Sequence, residues 1–421
     1  MEQERRNKMQ RPNFILNEQQ EQIKNEAVHW FNHESSQLFE ISGLAGTGKS
    51  VLIASILYEL GLNSNEVAAM SYTGQAAIVM RTKGFPLAKS IHSTLYELVE
   101  VPDNSDALAA KFGASGIRYE FRLKKFLDPA IRLFFIDEAY MVPDYMVKDI
   151  MSFGIKVIAA GDSHQLPPVG GNPAFLTGYG VHYLTQLMRQ AESDPIVYLS
   201  QRAIHGEPIH NGTYGNNVMV INDNEFIPQM IGFIDCILCG TNKTREMMNS
   251  YVRCLAGFQG NLPRYGERII CRKNNWERTL DGIALANGLA GTVVNNPDPS
   301  SFRPDGTFIV NFLPDLTNRV FTDVPINYKY FIAPFEEKNA LKSSFEAKWM
   351  TGELFDFAYC LTTHLAQGAE YDKTMYIEEF MRQQIQNQLN YTAITRAKKY
   401  LIYIKKTNKY FQLPGITVPT K

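Results

Sequence analysis

The chain has little cysteine, and its five residues among 421 are odd in number. A sparse, odd set does not build a disulfide framework and points to a reducing compartment. Cys236 and Cys239 form a C-x-x-C, yet no second pair or histidine cluster accompanies them to complete a zinc site. They lie in Phe233-Ile234-Asp235-Cys236-Ile237-Leu238-Cys239, which reads as a strand. Positions three apart on a strand face opposite sides, so both are expected in the core. Charge of one sign is also lacking: 42 basic residues against 43 acidic ones leave −1. That argues against a passive, electrostatic nucleic-acid binder and leaves room for an enzyme with a local basic groove. No run approaches the roughly 18 apolar residues of a membrane span. Met1–Pro12 lacks the apolar core of a secretory signal, so a soluble, cytoplasmic protein without a membrane partner is expected. No internal repeat or low-complexity segment stands out.

What is present is organised around Gly43-Leu44-Ala45-Gly46-Thr47-Gly48-Lys49-Ser50, which fits G-x-x-x-x-G-K-[ST]. The apolar Leu38–Ser42 ahead of it reads as a buried strand, and Val51–Leu60 behind it as a helix. In that setting the glycines let several N–H groups converge on phosphate oxygens at a helix N-terminus. Lys49 would reach the β/γ-phosphates and Ser50 would sit on Mg²⁺. A second apolar strand, Ile131–Ile136, ends in Asp137-Glu138. Strand-end carboxylates in such a fold order Mg²⁺ (Asp137) and polarise the attacking water (Glu138). A third, Ile155–Ala160, delivers Asp162 and Gln165 to the same sheet edge. Arg189 is either a phosphate contact or a helix cap. Asn17 with Gln20 three residues on reads as a capping box.

At about 150 residues per domain the length allows two to four units. The pattern predicts an α/β chain: residues 1–190 form a first domain with a small excursion over about 97–127, whose Arg118–Phe126 run interleaves basic and aromatic residues. A second αβ unit covers 191–261 and resumes at 351–421, returning to its sheet at Phe355–His364 and carrying a helix over Phe380–Leu389. Between them, 262–350 breaks into short β-like runs separated by Gly, Pro and Asn, a barrel-like insertion with Lys348 and Trp349 near its end.

Taken in order, these segments resemble superfamily 1 helicases over nearly the whole chain. The Gly161–Gly170 and Thr362–Asp372 stretches are similar to the RecD-like and phage Dda-like branch, whose members move 5′→3′ on single-stranded DNA. The resemblance implies two RecA-like P-loop domains, the first with a pin-like insertion and the second with an SH3-like β-barrel. It implies ATP and Mg²⁺ as cofactors. Single-stranded DNA and single-strand/duplex junctions are the implied partners, in replication, repair or recombination. It further suggests a monomer on DNA, with single-strand-binding or replisome proteins nearby. By the same resemblance Gln20 reads adenine, and Gly43, Ala45, Gly46, Thr47, Gly48, Lys49 and Ser50 hold phosphates. Gln165 senses the γ-phosphate, Arg189 and Arg396 are arginine fingers, and Glu370, with Gln367 and Gly368, meets the ribose. Thr73, His92, Thr241, Asn242, Thr362 and His364 match positions that grip the DNA backbone. Two features depart from the pattern: Leu365 replaces the usual lysine, and Ser71-Tyr72-Thr73 stands where Ala-Pro-Thr is common. An RNA helicase of the same superfamily, or an ATPase switch or scaffold without a nucleic-acid track, are the competing readings.

Overall fold

A computed structural model describes residues 15–103, 116–168, 171–297, 299–343 and 351–407. Helix α1 (Glu18–His33) starts at Asn17, whose side chain accepts from the Gln20 N–H in a full capping box, and buries Ile23, Ala27 and Trp30. Strand β1 (Leu38–Gly43) runs through the glycine loop into α2 (Lys49–Glu59). Then follow β2 (Val67–Ser71), α3 (Gly74–Thr82), β3 (Lys89–Ser90) and α4 (Ile91–Leu95). An antiparallel hairpin, β4 (Tyr96–Asp103) and β5 (Gly116–Leu123), stands off the domain before β6 (Leu133–Asp137), α5 (Asp144–Ser152), β7 (Lys156–Gly161) and β8 (Val181–Leu184). Six of these strands make one parallel sheet in the order β3-β2-β6-β7-β1-β8. Both faces are apolar because helices cover both: Phe135 and Ile158 pack in one core, Phe134, Ile136 and Val157 in the other.

After α6 (Arg189–Glu192) and α7 (Pro195–Ile204) the chain builds a second sheet with β9 (Gly212–Tyr214), β10 (Val218–Asn222), β11 (Cys236–Cys239) and the covering helix α8 (Asn242–Leu255). It then leaves for a β-rich unit: β12 (Arg268–Cys271), the hairpin β13 (Asn275–Leu280) and β14 (Ile283–Leu285), β15 (Ala290–Val293), β16 (Thr307–Pro314) and β17 (Phe321–Asn327). Helices α9 (Tyr328–Ile332) and α10 (Phe335–Ser343) and strand β18 (Phe355–Phe357) complete it. Its main sheet runs β17-β16-β15-β12-β18, and two backbone bonds, Asn327 N–H to Glu353 and Glu353 N–H to Pro325, join its ends. The chain finally returns through β19 (Cys360–Thr362), β20 (Tyr371–Ile377), α11 (Gln383–Ile394) and β21 (Ala397–Lys405). These complete the second sheet in the order β19-β11-β20-β21-β10-β9, parallel except for β9.

Three expectations are corrected. Phe355–His364 is two strands in two sheets, so the β-rich unit extends beyond residue 350 to Phe357: Phe355 packs on Phe312 in its core, with ring centroids 5.2 Å apart. The helix expected over Phe380–Leu389 is Gln383–Ile394, because Tyr391, Ala393 and Ile394 bury against the sheet. Strands β8 and β10 were not evident in the sequence. Cys236 and Cys239 do face opposite sides of β11, in separate cores, both free and buried. Lys348 and Trp349 lie outside the described residues. No helix among the described residues is long and apolar enough to cross a membrane.

Candidate nucleotide site and strand-end contacts

A cavity of 420 Å³ lies between the two parallel sheets. One wall comes from the first sheet: Ala45, Gly46, Gly48, Lys49 and Ser50 after β1, Asp137 and Glu138 after β6, and Asp162 and Gln165 after β7. The carboxyl ends of adjacent parallel strands converge there, as open α/β sheets dictate. The other wall is Glu370, Thr395 and Arg396, from the far side of the chain.

The loop's shape follows from its glycines. Gly48 sits at φ +78°, and a Cβ there would come within 2.6 Å of Gln20 Nε2. Gln20 is buried behind the loop. Its amide donates to the Thr47 carbonyl at 3.0 Å and accepts from the Asn17 N–H at 3.1 Å, so one side chain caps α1 and braces the loop. It is absent from the cavity wall. Lys49 donates to the Gly43 and Leu44 carbonyls. Thr47 donates to Leu44 at 2.8 Å.

Asp137 is half-buried at the cavity wall, and desolvation plus the neighbouring Glu138 charge push its carboxyl up to about 6, against the pull of Lys83 and Lys49. Glu138 has left-handed backbone, φ 52°, which turns it from the strand end into the cavity. For Asp162, burial would raise the carboxyl, but His164, Lys49 and Tyr391 together outweigh it and hold it below the usual range. Gln165 is 6% exposed and its Oε1 has no hydrogen-bond partner.

Across the cavity Arg396 is nearly fully buried. Its guanidinium donates to the Thr392 and Ala369 carbonyls at 3.2 Å each and reaches Glu138 Oε1 at 3.7 Å. Glu370 pairs with Lys83 at 2.5 Å. Burial alone would raise Glu370, yet Lys83 and Arg396 hold it down. Gly368, at φ +76°, lets the second unit touch the first: a Cβ there would meet Ala76 Cβ at 2.6 Å. Gln367 donates to the Leu166 carbonyl at 2.7 Å. Arg189 begins α6, and its side chain lies outside the described residues.

The six candidate backbone-gripping residues fall at corresponding strand ends. Thr73 follows β2 and caps α3 by accepting from Ala76 N–H at 3.1 Å. His92 lies in α4, stacked on Trp276 of the β13–β14 hairpin at 5.1 Å and near Phe121 of the β4–β5 hairpin at 5.2 Å. Thr241 follows β11 and Asn242 opens α8; the Thr241 hydroxyl points inward, donating to Glu379 at 2.9 Å. Thr362 ends β19 and is buried, while His364 is exposed two residues on. Lys124 is not free: it donates to the Ser93 and Thr94 carbonyls.

Lys83, Tyr391 and Trp276 were missed by motif reading. Lys83 belongs to no motif. Tyr391 lies in the last turn of α11, five residues before Arg396, and no spacing in the sequence marked its polar contacts across the cleft.

Comparison with known proteins agrees with this geometry. Residues 16–227 match the family described as AAA domain. The ATP-dependent RecD2 DNA helicase of Deinococcus radiodurans is 27% identical over 387 residues, covering 86% of this chain and 46% of that protein. An uncharacterized protein of Methanocaldococcus jannaschii is 25% identical, covering 95% and 39%. The chain thus spans less than half the length of either. Among solved structures, Pif1 helicase from Candida albicans aligns with a TM-score of 0.51 at 18% identity, over 93% of this chain and 94% of that one. Bacteroides Pif1 in complex with ADP-AlF3 and ssDNA aligns with a TM-score of 0.51 at 16% identity, over 97% and 95%. The fold is shared with both.

Proposed function

The chain belongs to the AAA domain family, and from that premise we propose that it is an ATP-dependent DNA helicase. It moves 5′→3′ on single-stranded DNA and unwinds duplex while hydrolysing ATP to ADP and phosphate. The observation that carries this reading is the divided cavity, in which Glu138 from one sheet and Arg396 from the other approach to 3.7 Å. A nucleotide site split between two units makes hydrolysis depend on their alignment, which a motor requires and a simple binding site does not. The names of the RecD2 and Pif1 relatives support the same activity and DNA as the track.

In this reading the loop N–H groups and Lys49 bind the β/γ-phosphates. The residues present fit Mg²⁺: a half-buried carboxyl raised by desolvation and by a neighbouring carboxylate, with the Ser50 hydroxyl on the same wall, is a donor set that gains from a hard dication. Ser50 and Asp137 would hold it, and it would neutralise phosphate charge. Glu138 takes the proton of the attacking water, Gln165 senses the γ-phosphate, and Arg396 and Arg189 stabilise charge on the transferred phosphoryl. Glu370, with Gln367 and Gly368 beside it, borders the ribose; Gln20, bonded to Thr47 and off the cavity wall, would meet adenine only by giving up that bond. Thr73 and His92 hold the strand on one unit, and Thr241, Asn242, Thr362 and His364 on the other. The β4–β5 hairpin splits the duplex and the β-rich unit covers the strand. The same reading has the chain acting as a cytoplasmic monomer alongside single-strand-binding or replisome proteins.

Unwinding of duplexes with a 5′ or a 3′ single-stranded tail, with ATP and Mg²⁺, tests it. Activity from the 5′ tail is expected. Activity only from the 3′ tail would overturn the polarity, stimulation by RNA and not by poly-dT would make it an RNA helicase, and no stimulation by either strand would make it an ATPase switch.

A further inference from the structure

Tyr391 lies on α11 of the second unit and is completely buried. Its hydroxyl makes two hydrogen bonds, and both cross to the first unit. It accepts from the Ala45 N–H of the glycine loop at 2.9 Å and donates to the Asp162 carboxylate at the end of β7. A phenol has one proton to give and lone pairs to receive, so this arrangement satisfies a partly buried amide and a buried carboxylate with one atom. Burial and the Asp162 charge hold the phenol well above the ordinary tyrosine value, so the donated proton stays in place. Its neighbour Thr392 accepts from the Leu166 N–H at 3.1 Å, which anchors the same helix to the loop after β7.

Resting on the nucleotide-site reading above, we infer that Tyr391 is a positioning residue that ties the phosphate-binding loop to the helix whose C-terminal turn leads into Arg396. Ala45 N–H is one of the loop's backbone donors, and here the second unit holds it. Arg396 lies in the turn just after the same helix, where its guanidinium bonds back to the Thr392 carbonyl on that helix and to the Ala369 carbonyl. The position of the guanidinium relative to Glu138 is therefore fixed through the phenol and not only through contacts within the second unit. Misplacement of a reacting group by about 1 Å can cost 10²-fold, so the tie acts on turnover. Ground-state ATP binding depends mainly on Lys49 and the remaining loop donors, which the tie does not supply.

The test is Tyr391→Phe in the full chain, which keeps the ring and removes both bonds. Its kcat for ATP should fall by about ten-fold or more while KM stays within about three-fold, the split expected when only transition-state alignment is lost. Asp162→Ala cuts the same tie from the other end. The double variant should lose little more than the worse single variant, since two residues acting through one contact are not additive. Wild-type kcat in Tyr391→Phe, or losses that multiply in the double variant, would overturn the inference. So would a lowered melting temperature with kcat and KM unchanged, which is what a purely structural role gives. If Tyr391→Phe does not fold, a wild-type kcat in Asp162→Ala overturns it alone. Lys49→Ala separates the two levels: wild-type turnover there would remove the nucleotide-site reading itself, whereas wild-type turnover in Tyr391→Phe removes only the tie.

Discussion

Arg396 and Glu138 meet across the cavity, guanidinium Nη1 to carboxylate Oε1, at 3.7 Å. The arginine comes from the turn after α11 and the glutamate from the turn after β6, and no other ion pair among the described residues joins a proposed base to a proposed finger. That places the two charges that the hydrolytic step needs under joint control of both units. Arg396→Ala should lower kcat by about 10³-fold or more, in the range of an arginine finger, with a far smaller change in ATP affinity. Steady-state turnover and equilibrium binding of a fluorescent ATP analogue measure the two, and equal losses would count against the finger role.

Lys83 faces Glu370 at 2.5 Å and shares the cavity with Asp137 and Glu138. Burial would lower its ammonium, yet Glu370 and the two other carboxylates outweigh that and raise it, so it stays charged at neutral pH. Losing a charge-assisted contact of this kind costs about 1.5–3 kcal/mol. Lys83→Ala should therefore raise KM for ATP by about ten-fold, because Glu370 loses the group that holds it. An unchanged KM in initial-rate assays would remove Lys83 from the site.

Asp137 gives a stability prediction with a definite sign. Its carboxyl titrates at about 6 in the fold against an ordinary 3.8. Between those values the folded chain holds a proton that the unfolded chain has released, so stability falls as pH rises through this window and stays lower above it. Asp137→Asn removes the penalty. It should melt higher than wild type at pH 7 in EDTA without nucleotide, by up to about 3 kcal/mol, with the gain gone by about pH 4. Thermal melts across this range decide it; a variant less stable than wild type at pH 7 would refute the assignment of Asp137 as a carboxyl raised by desolvation and by Glu138.

Most of the first wall was legible because its residues are local: a strand, a glycine loop and a helix are continuous in sequence, and Asp137-Glu138 ends an unbroken apolar run. Cys236 and Cys239 were legible for the same reason, since strand periodicity alone puts them on opposite faces. What sequence could not show was what the cavity borrows from afar. Lys83 follows an ordinary helix and only the pairing with Glu370, 287 positions on, gives it a place. Tyr391 belongs to the core, and its two polar contacts exist because the second unit packs against the loop. Phe355–Phe357 was assigned to the wrong sheet because a short apolar strand carries no label for its partner.

Gln20 serves two structures at once, and its loss should show in both. Gln20→Ala removes the bond from the Asn17 N–H and the bond to Thr47 together, while Asn17 still accepts from the N–H of residue 20. Each lost hydrogen bond costs about 0.5–1.5 kcal/mol, and the Thr47 carbonyl is left unpaired. Urea unfolding should therefore report a loss of at least about 1 kcal/mol, and ATP affinity should fall as the loop loosens. Wild-type stability would mean that the brace contributes nothing.

The aromatic contact between His92 and Trp276 separates the two halves of the proposed activity. Trp276 stacks on His92 at 5.1 Å and meets Phe121 edge-on at 5.2 Å, so the β13–β14 hairpin is pressed against both the first sheet's edge and the β4–β5 hairpin. Ile78 and Ile283 pack in one core nearby, and Arg81 donates to the Asp281 carbonyl, so the hairpin has other anchors. Each aromatic pair is worth about 0.5–1.5 kcal/mol, enough to steady a splitting element but remote from the nucleotide cavity. Trp276→Ala should leave ATP turnover on poly-dT within about two-fold while reducing unwinding of a 5′-tailed duplex by about ten-fold, a difference of ~1.4 kcal/mol. Phe at the same position should restore most of the unwinding, since the face and edge contacts need a ring and not the indole N–H. Turnover and unwinding falling together would instead tie this contact to the motor itself, and the β4–β5 hairpin would lose its claim to a separate role in strand separation.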